Sequence, residues 1–137
     1  MNFSYPFTIK PQSDRGYLVE FVDIEEAFTE GQTIEEAVFN AQEVLTAILE
    51  QRLEDGADIP LPSAGKYKYR TTPSASVQAA LLVHKSRNGT SLADLARALG
   101  ASWPVAQRLE KPKHSPTLRQ LERAAAALGK RLILSFE

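Results

Sequence analysis

The chain has 137 residues with a formal net charge of −1, and 43% of them are hydrophobic, which is enough for packed cores. It contains no cysteine, and its two histidines, His84 and His114, are far apart, so we expect no disulfide, no metal site and no cofactor. No apolar run approaches the ~18 residues of a membrane span, and we expect a cytoplasmic protein that binds no membrane.

The charges are divided unevenly along the chain. Residues 1–72 contain six basic and 13 acidic side chains, a balance of −7, whereas residues 73–137 contain 10 basic and four acidic ones, a balance of +6. This division predicts an acidic domain, 1–72, and a basic domain, 73–137, joined by a hinge at Pro73–Ser76. Domains of opposite charge favour two different partners, although the charges alone are also consistent with two solvated surfaces.

Alternating side chains predict strands in the acidic domain. Phe3–Ile9 alternates apolar and polar residues, and Pro6 favours an edge position, because proline has no N–H to donate to a neighbouring strand. Gly16–Phe21 is predicted to complete a hairpin with it. Ala27–Thr29 is a candidate third strand.

A long helix is predicted next. Thr33 and Glu36 form a capping-box pattern, and Gly56 is placed to end the helix. Tyr67–Thr71 then returns as a fourth strand. The predicted fold class is therefore α+β, with a β-β-β-α-β domain whose sheet has one face covered. The predicted apolar stripe of the helix consists of Ile34, Ala37, Val38, Ala41, Leu45, Ile48 and Leu49.

The basic domain is predicted to be helical. A first helix ends at Asn88-Gly89, and Ser91–Glu110 then indicates two short helices, with Ser91 as the first N-cap, Gly100 in the turn and Ser102 as the second N-cap. Pro104 is tolerated in the first turn of the second helix. This spacing is typical of a helix-turn-helix, and a plain helical hairpin is the alternative.

The same segment resembles the helix-turn-helix of the phage-repressor and Xre-like family. The matching features are Leu95-Ala96, Gly100, Leu109-Glu110, the basic loop Lys111–Pro116 and Ala127-Leu128-Gly129. The resemblance implies binding to operator double-stranded DNA.

Residue roles follow from this match. Trp103, Pro104 and Arg108 correspond to positions that face base edges, and Ser102 and Gln107 to positions that contact phosphate or base. A buried hydrophobic anchor is the alternative role for Trp103. The complete set of predicted DNA-binding residues is Ser91, Ser102, Trp103, Pro104, Gln107, Arg108, Lys111, Lys113 and His114, of which the last three would meet phosphates.

The end of the chain predicts a further helix and a strand. Ser115-Pro116 is expected to start the helix, with a stripe of Leu118, Leu121, Ala125 and Leu128. Arg131–Phe136 alternates, with Leu132, Leu134 and Phe136 on one face. A lone strand is unstable, so we expect these three residues to pair with a second copy, forming a homodimer or a higher even oligomer. Docking on the chain's own helices is the alternative.

No catalytic constellation is evident. Asp23, Glu25 and Glu26 are close together, but no histidine or lysine follows to complete a site, and a solvated acidic loop is the simpler interpretation. There is no phosphate loop or nucleophile elbow. We therefore expect a protein that is not an enzyme.

The acidic domain resembles the N-terminal domain of HicB antitoxins. The features that carry the resemblance are Gly16-Tyr17, Val19–Phe21, Asp23, the run Thr29-x-Gly31-x-Thr33 and Glu36-Ala37. Some HicB proteins carry a C-terminal helix-turn-helix. The resemblance implies a partial, inactive RNase H-like fold, and an antitoxin of a type II system that neutralises an RNA-cleaving HicA toxin and represses its own operon.

A toxin that binds RNA needs a basic surface, to which an acidic domain is complementary. We therefore hypothesise that the toxin contacts the acidic residues Asp23, Glu25, Glu26, Glu35 and Glu43. Two other functions are open from sequence. One is a stand-alone helix-turn-helix regulator whose acidic domain senses a small ligand, and the other is a metal-dependent nuclease that uses Asp23.

Overall fold

The computed structural model describes residues 1–137, which divide by their contacts into two compact units, Met1–Ser74 and Ala75–Glu137. The first unit contains an antiparallel sheet and one long helix, and the second is helical. The fold is therefore of the mixed α+β class. No helix combines the length and the apolar character needed to cross a lipid bilayer.

The first unit has the predicted β-β-β-α-β order. Its strands are β1 (Tyr5–Pro11), β2 (Tyr17–Phe21), β3 (Phe28–Gly31) and β4 (Tyr69–Thr71), and the helix is α1 (Ile34–Asp55). The strands lie in the order β3-β2-β1-β4, and every neighbouring pair is antiparallel.

The expectation that Pro6 marks an edge strand is wrong, because β1 pairs with β2 on one side and β4 on the other. The carbonyl of Pro6 accepts a hydrogen bond from the Val22 N–H at 3.1 Å, on the β2 side. In an antiparallel strand the nitrogen of a residue faces the same side as its carbonyl. The missing N–H therefore lies just beyond the last β1–β2 pair, Phe7 with Phe21, where it costs no bond to β4.

One face of the sheet packs against α1. Tyr5, Phe7, Val19 and Phe21 are buried on this face. The Phe7 ring lies 5.2 Å from the Phe21 ring and 5.5 Å from the Tyr69 ring between centroids. The helix contributes a fully buried stripe that repeats every four residues, with half-buried residues such as Val44 and Ile48 beside it. The buried residues of this stripe are Ala37, Ala41, Leu45 and Leu49.

The start of α1 is held close to the sheet. The Thr33 hydroxyl accepts from the Glu36 N–H at 3.1 Å, so the predicted N-cap is confirmed. A Cβ placed on Gly31, at the end of β3, would lie 2.5 Å from the backbone nitrogen of Ala37. The helix can approach β3 this closely only because residue 31 has no side chain.

The second unit consists of α2 (Ala75–Arg87), α3 (Leu92–Leu99), α4 (Trp103–Arg108), a 3-10 turn (Pro112–His114) and α5 (Leu118–Ala127). The helices predicted on either side of Gly100 are confirmed. Small residues let the helices approach closely. The buried core is formed by Val83, Leu95, Ala96, Ala106, Leu109, Leu121 and Ala124.

The predicted start of α5 is wrong. Thr117, not Ser115, is the N-cap, and its hydroxyl accepts from the Gln120 N–H while the Gln120 side chain accepts from the Thr117 N–H. This reciprocal capping box satisfies two backbone donors, which the Ser115-Pro116 start does not offer. The later start leaves Leu118, assigned to the buried stripe, 58% exposed.

The segment Arg131–Phe136 forms no strand within the single chain. Leu132 packs partly against the helical core, whereas Ile133, Leu134 and Phe136 are largely exposed. Docking on the chain's own helices is thus limited to Leu132. Pairing with a second copy stays a prediction.

Candidate functional site

Two of the acidic side chains predicted to contact a toxin are engaged within the first unit. The Asp23 carboxylate accepts hydrogen bonds from the Ser63 N–H, at 2.8 Å, and from the Ser63 hydroxyl. It thereby fixes the loop that follows α1. Asp23 is therefore a structural residue of this loop, contrary to the expectation of a solvated carboxylate.

Glu26 is engaged in the same way. Arg52, near the end of α1, donates to its two oxygens at 2.8 and 2.7 Å, and also to the Asp58 carbonyl at 2.7 Å. The hydrogen bonds from Arg52 lower the pKa of Glu26 to about 2. This bidentate pair holds the end of α1 against the loop that contains Glu26.

The remaining predicted residues of this set, Glu25, Glu35 and Glu43, are exposed. None of them makes a hydrogen bond or ion pair within the chain. Glu35 and Glu43 lie on the outer face of α1, and Glu25 lies in the loop before β3. The structure therefore separates the predicted acidic set into two structural carboxylates and three that are available to a partner.

Sequence reasoning missed an apolar patch among these carboxylates. Phe39 is 63% exposed, and Val38, which was assigned to the buried stripe, is 38% exposed. Phe39 lies two residues from Ala41, or roughly 200° around a helix of 3.6 residues per turn. A helical projection centred on the alanines would therefore have placed it opposite the core.

The open face of the sheet carries a shallow groove of about 650 Å³. Phe28 lies in it, 60% exposed, and Glu20 in it is 3.7 Å from Lys10. No group of three or more histidine, aspartate or glutamate side chains is arranged to hold a metal ion. The groove lining consists of Leu18, Glu20, Glu25, Glu26 and Phe28.

In the second unit, local capping and one left-handed residue orient α3 and α4. The Ser91 hydroxyl accepts from the Asp94 N–H at 3.0 Å, and Gly100 ends α3 with φ 64°. Pro104 lies in the first turn of α4, as predicted. Ser102 occupies the N-cap position, but its hydroxyl makes no capping bond, so that predicted bond is absent.

The side chains predicted to meet DNA are mostly accessible. Trp103 is 47% exposed, so it is not the buried anchor considered as its alternative role. Ser91 is exposed too, although its hydroxyl caps α3. Of the others, Ser102, Pro104, Arg108, Lys113 and His114 are exposed, and Gln107 and Lys111 are half-buried. They lie on α4, on the turn before it and on the loop after it.

Sequence reasoning also missed the ion-pair cluster around Glu110. Its side chain is only 10% exposed, and it contacts His84 at 2.7 Å and Arg87 at 2.5 and 3.0 Å. Burial raises the pKa of Glu110, but the hydrogen bonds from His84 and Arg87 outweigh it, so the pKa is lowered overall. The cluster ties the residue after α4 to α2. Its signal in the sequence was the one acidic residue between α4 and a basic loop.

The family model for HicB-like antitoxins of bacterial toxin-antitoxin systems matches residues 4–79, more than half of the chain. The chain belongs to this family. The antitoxin HicB of Escherichia coli K12 is 34% identical over 133 residues, which cover 95% of this chain and 96% of the relative. Antitoxins HicB 1 and HicB 2 of Photorhabdus laumondii are 32% and 35% identical and cover 99% and 97% of this chain and 88% and 96% of their own lengths.

As a HicB-like antitoxin, the chain has a toxin as its partner. The resemblance noted for Gly16–Ala37 lies within the matched residues, so the family assignment made from sequence is confirmed. The matches to the relatives extend through the second unit as well.

Proposed function

We propose that this HicB-like antitoxin neutralises a small, RNA-cleaving HicA-type toxin by direct binding and represses its own operon by binding operator DNA, without catalysis. The observation that carries the proposal is family membership combined with the division of charge, −7 in residues 1–72 and +6 in residues 73–137. The β-β-β-α-β order of the first unit is the support for a partial RNase H-like fold.

The acidic unit is proposed to bind the toxin. A protein that holds RNA displays cationic side chains toward the phosphates, and an acidic surface competes for them and speeds encounter. Glu25, Glu35 and Glu43 are exposed without an intramolecular partner, so their charge is available. Asp23 and Glu26 are left out of this surface because they hold loops of their own unit.

The basic unit is proposed to bind DNA as a helix-turn-helix, with α4 in the major groove. Exposure of Trp103 and Arg108 on α4 supports this role, and Arg108 suits a bidentate contact to guanine. Lys113 and His114 lie in the following loop, where phosphate contacts add affinity without sequence information. A homodimer formed through Leu132, Leu134 and Phe136 would place two such helices on an inverted repeat.

Co-expression with the product of the neighbouring gene, which the proposal expects to be a small basic toxin, tests the proposal. We expect the two proteins to co-purify, toxin RNA cleavage to stop at equimolar antitoxin, and the full-length chain to shift its own promoter fragment in dilute buffer. A chain that binds the promoter but neither binds nor inhibits the toxin would instead be a stand-alone regulator. A chain that neither inhibits the toxin nor binds the promoter would refute both parts of the proposal.

A further inference from the structure

The outer face of α1 combines an aromatic side chain with charges of one sign. Phe39 is 63% exposed and Val38 is 38% exposed, in a helix whose opposite side is fully buried against the sheet. Nothing in the fold of this unit requires an apolar side chain at position 39. A single exposed apolar residue is common on protein surfaces, but Phe39 lies beside Val38 and among carboxylates, and an aromatic side chain in such a setting can anchor an interface.

The neighbours of Phe39 on the helix are acidic or polar. Residues three and four positions away lie beside it on the same face, and these are Glu35, Glu36, Gln42 and Glu43. No lysine or arginine occurs in α1 before Arg52, which pairs with Glu26. The carboxylates around Phe39 are therefore not neutralised from within the helix.

We infer that this face of α1 is the toxin-docking surface, with Phe39 as its apolar anchor and Glu35, Glu36 and Glu43 as its charged rim. This inference rests on the proposed function and adds to it a location and a chemistry. The occupant is a cationic protein surface with an apolar recess that admits the Phe39 ring. An aromatic centre inside a charged rim is the usual arrangement of an energetically dominant contact.

The groove on the open sheet face is the alternative docking surface for the toxin. It has fewer unpaired carboxylates than the outer face of α1. Glu20 there lies near Lys10, and Glu26 is bound by Arg52, so only Glu25 remains unpaired. Phe28 in the groove is nearly as exposed as Phe39, at 60% against 63%. It therefore offers a matched control in the same unit.

The test compares Phe39→Ala with Phe28→Ala in the full-length chain, each titrated with the purified toxin that co-purifies with wild type. Both side chains are exposed, so we expect both variants to melt like wild type. Phe39→Ala should raise the Kd for the toxin by about 30-fold, as hot-spot truncations do, and Phe28→Ala by less than about threefold. Glu43→Gln should slow association and weaken its salt dependence, unlike Glu20→Gln.

Four outcomes overturn the inference. If wild type binds the toxin and Phe39→Ala binds equally well, the docking surface lies elsewhere while the proposed function stands. If Phe28→Ala is the weakened variant, the toxin docks on the open sheet face. If Phe39→Ala changes the oligomeric state in sedimentation but not the toxin Kd, a second copy of this chain occupies the face. Absence of wild-type binding refutes the proposed function itself, and the inference with it.

Discussion

At the scale of single residues, Glu110 shows how one side chain can position a binding element. It follows the six-residue helix α4, which is too short to be stable alone. Its carboxylate, 10% exposed, is held by Arg87 and His84 of α2. The orientation of the proposed recognition helix therefore depends on an ion-pair cluster as well as on Ala106 and Leu109 in the core.

We expect Glu110→Gln to destabilise the second unit by about 3 kcal/mol, because it leaves the half-buried Arg87 without its counter-charge. The folded-state pKa of Glu110 is lowered, so its contribution is present above the ordinary value of 4.5 and is lost as the pH falls through the folded-state pKa. Urea unfolding should give wild type a larger free energy of unfolding than the variant at pH 7. This difference should become smaller at acidic pH.

The exposed pair Asp94–Arg97, with side chains 53% and 75% exposed, is the control for Glu110. Asp94→Asn should change stability far less, because solvent screens exposed pairs. Equal unfolding curves for wild type and Glu110→Gln at pH 7 would show that the cluster contributes nothing to the unit.

At the scale of elements, the first unit is organised by the contact between β3 and the start of α1. Gly31 leaves space that Ala37 of the helix occupies, and Thr33 caps the helix one turn before. This contact sets how the helix lies over the sheet. It thereby also sets which side of α1, the one with Phe39, faces solvent.

Gly31→Ala should therefore destabilise the first unit by about 1–3 kcal/mol, because the added Cβ would lie 2.5 Å from the Ala37 nitrogen. Relieving this clash requires the backbone of α1 or β3 to shift. Chemical unfolding monitored by circular dichroism measures this loss. Phe28→Ala in the same strand is the control and should have little effect, because Phe28 is 60% exposed. If Gly31→Ala were as stable as wild type, α1 would not need the close approach.

At the scale of the whole molecule, two units of opposite charge each contain their own core. Each unit can therefore attract a partner of opposite charge, and the other unit would repel that partner. The exposed end of the chain adds a third surface. Leu134 is 66% exposed and Phe136 fully so, whereas Leu132 contacts the helical core of its own chain.

From the proposed homodimer, we expect wild type to be dimeric and the double variant Leu134→Ser, Phe136→Ser to be monomeric, because the variant lacks the apolar face of the segment proposed to pair. Operator affinity should fall by about 100-fold, since the second half-site contact is no longer intramolecular. Light scattering and promoter-shift titrations measure the two effects. Ile133→Ser alters the other face of the segment and should leave both unchanged, and a double variant that stays dimeric would contradict the assignment.

The sequence by itself determined the elements whose signals are local. Thr33, Ser91 and Gly100 act on backbone groups within a few residues, so the limits of α1 and α3 follow from chemistry already present in each segment. The alternation of side chains similarly predicted β1 and β2. The family resemblance over Gly16–Ala37 could also be recognised from sequence, because its features lie in one continuous segment.

Only the tertiary structure decided the outcomes that depend on distant segments. It placed Pro6 in an interior strand, bound Asp23 to Ser63 forty residues away, and paired Glu110 with Arg87 of α2. It also left Phe39 uncovered. A residue's pairing and exposure depend on which remote parts of the chain pack around it, and neither periodicity nor composition contains that information.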